Sequence, residues 1–109
     1  MQDESAFMAL TERVLRAIGQ ALDRAESDAL DWAENDGVLT IDCGTSRIVV
    51  NRHVANRELW VAARSGGFHF RAQDGEWKDS RSGERLSAAL RRVLQEQGVG
   101  AIEIPDLPA

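Results

Sequence analysis

From residue 3 to residue 25 the apolar positions Phe7, Leu10, Val14, Ile18 and Leu22 recur at steps of three and four, which predicts an amphipathic helix with one stripe turned toward a core. Asp3 and Glu4 suit the positive end of the helix dipole and support a start there. Gly19 costs about 1 kcal/mol relative to alanine inside a helix, so the last turns are expected to be its weakest. Beyond residue 30 the period drops from 3.6 to two. A first strand is predicted over residues 30–35, and Asp36-Gly37 reads as a hairpin turn because both residues tolerate positive φ. VLTIDC, RIVVNR, ELWVAA, GFHFRA and EWKDS follow as short alternating runs, with separators short enough to join antiparallel neighbours. One of those separators is His-Val-Ala-Asn, which puts His53 in a loop. A second helix is predicted over residues 83–97, with Leu86, Leu90, Val93 and Leu94 on one stripe and Gly98 as its stop.

Helix, about six strands, helix is the order of an α+β two-layer sandwich, with both helices on one face of an antiparallel sheet and the other face wet. One domain over residues 1–109 is expected at this length. Side-chain parity then assigns faces. Leu39, Ile41, Cys43, Ile48, Val50, Leu59, Val61, Ala63, Phe68 and Phe70 point toward the helices, and Arg47, Val49, Asn51, Trp60, His69 and Arg71 point away. An aromatic ringed by arginines and an amide has the composition of an interaction hot spot. A cross-strand filler that merely covers neighbouring backbone has the same pattern, and parity alone does not separate the two.

Charge sharpens the picture. The net charge is −5, but residues 1–42 hold ten acids against three arginines, whereas residues 43–92 hold ten basic residues against five acids. Such a two-sided molecule lacks the broad basic footprint of a nucleic-acid binder; it suits cations at one end and a charged protein partner at the other. No apolar run approaches the ~20 residues of a membrane span, and the acidic start MQDESAF is unlike a secretory signal, so a cytoplasmic location is expected. Cys43 is the lone cysteine, which removes internal disulfides and Cys-rich zinc motifs. Its parity with Leu39 and Ile41 marks it as an inert thiol rather than a nucleophile. His53 and His69 have no second histidine or cysteine at ligand spacing, and Trp77 reads as packing. No Ser-His-Asp, Walker or dinucleotide motif is present, which argues against an enzyme.

The amphipathic first helix, the acidic junction, NDGVLTI, RIVVNR, ELWVAARSGGFHF and EWKDSRSGERL together resemble the bacterial frataxins, the CyaY family. The resemblance covers nearly the whole chain, and Asn51-Arg52, Trp60 and Gly66-Gly67-Phe68-His69-Phe70 are its most specific part. It implies the frataxin-like fold and a non-enzymatic role in iron-sulfur cluster assembly. In that role the protein binds ferrous or ferric iron weakly, without an organic cofactor, and docks on a cysteine desulfurase and its scaffold protein to modulate sulfur supply, with iron delivery as a further task. By position, the family's iron-binding ridge falls on Asp23, Glu26, Asp28 and Asp31, with Asp3 and Glu4 at the helix start and Glu34 as a weaker member. Carboxylate oxygens are hard ligands suited to iron. This chain departs from the family where Gly19 and Gln20 replace a usual acidic pair, which implies weaker binding or a site moved toward the junction. Trp60 matches the family's exposed sheet tryptophan, with Asn51, Arg47, His69 and Arg71 around it as partner-binding residues. A monomer is expected, with iron-dependent oligomers as an alternative. Two other readings remain open: a purely protein-binding module whose ridge docks a basic partner, and a haem or tetrapyrrole binder using His69 or Cys43 beside Trp60.

Overall fold

Asp3 opens the first helix by accepting the Ala6 N–H on Oδ1 at 2.7 Å, which satisfies one of the amides that a helix start leaves unpaired. The computed structural model describes residues 3–109. Helix α1 (Glu4–Arg24) turns Phe7, Leu10, Val14, Ile18 and Leu22 into the core, as their spacing predicts. It runs unbroken through Gly19, which lies buried against Trp32 rather than facing solvent.

The alternating runs form a six-stranded antiparallel meander in chain order: β1 (Asp31–Asn35), β2 (Val38–Asp42), β3 (Arg47–His53), β4 (Glu58–Ala63), β5 (Gly66–Gln73) and β6 (Glu76–Asp79). Asp36 and Gly37 join β1 to β2 with φ of 50° and 83°, the left-handed pair that a tight hairpin needs. Helix α2 (Leu86–Glu96) lies with α1 on one side of the sheet. Leu39, Ile41, Ile48, Val50, Leu59, Val61 and Phe70 fill the space between the layers, so the expected faces and the two-layer α+β sandwich are those observed.

Three boundaries differ from the sequence reading. The first strand begins at Asp31 and the second helix at Leu86. The third is consequential: β3 extends through His53, which pairs with Glu58 instead of lying in a loop. Beyond Gly98 the chain, without regular secondary structure, returns along the helix layer and buries Ile102, Ile104 and Leu107. Trp77 donates its indole N–H to the Pro108 carbonyl, and Arg91 donates to that of Ile104 at 2.7 Å, which fastens this segment to β6 and α2. Among the described residues no helix is long and apolar enough to cross a membrane.

Candidate functional site

With both helices on one side, the sheet leaves its other face open, and register decides which side chains meet there. Trp60 stands at the centre of β4, directly opposite Asn51 on β3 and His69 on β5. His53, two residues beyond Asn51 on the same face, reaches back to the indole. The His53 ring stacks on Trp60 with centroids 3.9 Å apart and 10° between planes, and His69 stacks with 4.3 Å and 6°. The two imidazoles come from strands on opposite sides of β4, so they cover opposite faces of the indole. The tryptophan points outward as parity predicts, but it is half-buried and offers an edge rather than a free ring face.

Beneath this stack lies Glu58, whose side chain is only 7% exposed although it belongs to the open face. Its Oε1 accepts the Trp60 indole N–H at 2.7 Å, and its Oε2 accepts from Arg71 at 3.1 Å. His69 Nδ1 stands 3.8 Å from Oε1. Burial pushes the Glu58 carboxyl up, but the hydrogen bonds from Trp60 and Arg71 and the charges of Arg71 and His69 outweigh it and hold the group below its usual value. Glu58 therefore stays a carboxylate and an acceptor. Alongside the indole runs a groove of about 350 Å³, walled by Val38, Val49, Asn51, Ala62, Gly67 and His69. Such an apolar trough beside a half-buried tryptophan can receive a side chain from another protein.

Of the residues assigned to this face, Asn51, Trp60, His69 and Arg71 come together and Arg47 does not. Arg47 pairs with Asp42 at the far end of β3, four residues and ~13 Å from Asn51 along the strand. Glu58 and His53 were not assigned a role from the sequence. The signal for Glu58 was its shared parity with Trp60; the signal for His53 was the unbroken alternation Val49, Asn51, His53.

The acidic end is looser. Asp23, Glu26 and Asp31 line one shallow cleft of about 390 Å³ together with Trp32, and Asp28 lies exposed in the turn beside them. Asp23 is already engaged by the Trp32 indole N–H at 2.8 Å. Glu34 faces a neighbouring cleft shared with Glu12, Asp23, Asp36, Arg16 and Arg52. Asp3 and Glu4 stand at the other end of α1, ~30 Å away for twenty residues of helix. Among the described residues no three His, Cys, Asp or Glu side chains converge as a ready-made metal site. What the arrangement provides is a field of carboxylates, able to hold a hydrated cation loosely. Cys43 is half-buried on the helix side just after β2, three strands and ~14 Å from β5, so it does not join His69 and Trp60. Burial, then the Asp42 charge, push its thiol up against the opposing pull of Arg64, which keeps it protonated.

A two-layer sandwich of this order, with an acidic helix end and an outward tryptophan on a bare sheet, defines an iron-handling, protein-docking architecture rather than a catalytic pocket. The family model described as a frataxin-like domain matches residues 1–100. The chain belongs to the frataxin family. It is 41% identical to the iron-sulfur cluster assembly protein CyaY of Dechloromonas aromatica over 101 residues, covering 92% of this chain and 96% of that one. It is 38% identical to the CyaY protein of Neisseria meningitidis serogroup B over 108 residues, covering 98% and 100%. Among solved structures, frataxin from Psychromonas ingrahamii superposes with a TM-score of 0.89 at 21% identity, covering 97% of this chain and all of that one. Trimeric frataxin from Saccharomyces cerevisiae complexed with ferrous iron gives 0.67 at 24% identity, covering 89% and 87%. These last two likenesses concern the fold.

Proposed function

We propose that this protein serves iron-sulfur cluster assembly as a non-enzymatic adaptor: the open sheet face docks on a cysteine desulfurase with its scaffold protein, and the acidic end carries iron weakly as cargo. The observation that carries this reading is Trp60, set outward on a sheet face that no helix covers and flanked by an apolar groove, in a chain of the frataxin family. The groove and the indole edge supply apolar area to an interface, and Asn51, His69 and Arg71 supply a polar rim. Asp23, Glu26, Asp28 and Asp31 crowd like charges, which a cation relieves; this gives binding without a rigid coordination sphere. The test is an anaerobic titration with ferrous iron, alone and with the desulfurase–scaffold complex, while sulfide release is followed. Weak iron binding together with a change in desulfurase rate supports the reading; no effect on the complex at any protein concentration overturns it.

A second reading is favoured by one observation, the failure of the acids to converge on a single point. In it the acidic end is an electrostatic docking surface for a basic partner, and iron binding is incidental. Iron-free protein would then modulate the desulfurase as strongly as iron-loaded protein.

A further inference from the structure

Formation of the core does not account for the groups that touch Trp60. Glu58 lies on the open face yet is closed off by the indole, Arg71 and His69, where a carboxylate carries a desolvation cost that an apolar residue would avoid. His53 adds a second cost: its Nδ1 is buried without a hydrogen-bond partner in the described structure. Both residues converge on the same result. The indole nitrogen is tied to Glu58 at 2.7 Å, and the two ring faces are occupied by imidazoles at 3.9 and 4.3 Å. Arg71, from the neighbouring strand, holds the second oxygen of Glu58 at 3.1 Å and so fixes the carboxylate itself.

Resting on the docking reading above, we propose that Glu58, His53 and His69 are positioning residues: they clamp Trp60 in one orientation, so that a partner protein meets a preformed groove wall and the indole edge instead of stacking on a free ring. A mobile tryptophan would have to be ordered at the moment of association. Ordering one large side chain costs roughly two- to tenfold in affinity, and the clamp meets that cost during folding. Glu58 is the most informative member because its burial keeps it from touching the partner; any effect it has on binding passes through Trp60.

The test uses the whole protein labelled with ¹⁵N. Its indole N–H resonances come from Trp32, Trp60 and Trp77, and that of Trp60 is identified by its loss in Trp60→Phe. In Glu58→Ala the heteronuclear NOE of the Trp60 indole should fall while those of Trp32 and Trp77 hold, and affinity for the desulfurase–scaffold complex should drop two- to tenfold. Glu58→Gln keeps an acceptor oxygen for the indole and should restore most of both readings, which a merely structural role would not produce. Should Glu58→Ala not fold, His53→Ala removes one face of the clamp from a half-buried position and carries the same two readings. An indole that stays ordered overturns the clamp, as does an indole that loosens without loss of affinity, or a Gln variant no better than Ala. If Trp60→Ala weakens binding and Glu58→Ala does not, the clamp fails and the docking reading stands. If Trp60→Ala itself leaves binding unchanged, the docking reading fails and takes the clamp's role with it.

Discussion

Trp32 sits against Gly19 so closely that a Cβ on the glycine would come within 2.5 Å of the ring carbon Cη2 and 2.9 Å of its two neighbours. The contact joins the last turns of α1 to β1, and the same indole donates to Asp23, so one tryptophan shapes both the helix–sheet seam and the acidic end. It also gives a structural reason for a glycine inside a helix.

Gly19→Ala is therefore expected to destabilise the protein even though alanine is the better helix former by about 1 kcal/mol. Overpacking of this kind costs typically 1–3 kcal/mol, and Trp32 must swing away, which also releases Asp23. Thermal unfolding should show a Tm lower by several degrees. A higher Tm would mean that the ring yields freely and the seam is soft.

Metal binding at the acidic end should raise thermal stability by mass action, because only the folded chain gathers these carboxylates. Replacing Asp23, Glu26, Asp28 and Asp31 by Asn and Ser should abolish the iron-induced rise in Tm. Replacing Asp3 and Glu4 should leave it nearly intact, since they stand ~30 Å away along α1. The reverse pattern would move the site to the helix start.

If the acidic third meets a basic desulfurase surface, association should weaken clearly between ~50 and ~300 mM salt, as the Debye length shrinks below the spacing of the rim charges. Binding indifferent to salt would assign docking to the sheet face alone.

Glu58 sets a pH dependence whose sign follows from its lowered pKa. Its usual value is 4.5, and a folded value beneath that means its contribution is fully present above about 4.5 and is lost as pH falls through the folded value. The Trp60 indole N–H resonance should hold steady from neutral pH down to about 5 and move at lower pH, with the movement absent in Glu58→Gln. A shift centred near neutrality would point to the histidines instead.

The two helices, the meander and the outward placement of Trp60 were legible because periods of 3.6 and two are imposed by a single buried face. Strand ends were not legible in the same way. Whether β3 stops at Asn51 or continues to His53 is a matter of two residues, yet it decides whether an imidazole lies in solvent or on the indole. Glu58 was readable as outward but not as buried, since its cover comes from Arg71 and His69 on the next strand, and only register brings them there. The Gly19–Trp32 contact crosses two layers and leaves no periodic trace. Ile102, Ile104 and Leu107 are apolar at near-alternate positions, but this stretch contains Pro105 and Pro108 and forms no strand, so nothing local announces that it packs. Spacing along the chain suggested that the acids of the ridge would gather; at the end of a helix and in the turn after it, they splay.

The most direct measurement is Trp60→Ala, with melting temperature and affinity for the desulfurase–scaffold complex determined on the same sample. Trp60 is half-buried outside the core, so stability should fall by much less than the 3–5 kcal/mol of a core tryptophan, while affinity should fall by about 2 kcal/mol or more, roughly thirtyfold. A core-sized loss of stability, or unchanged stability with unchanged binding, would contradict the account of the open sheet face as the docking surface.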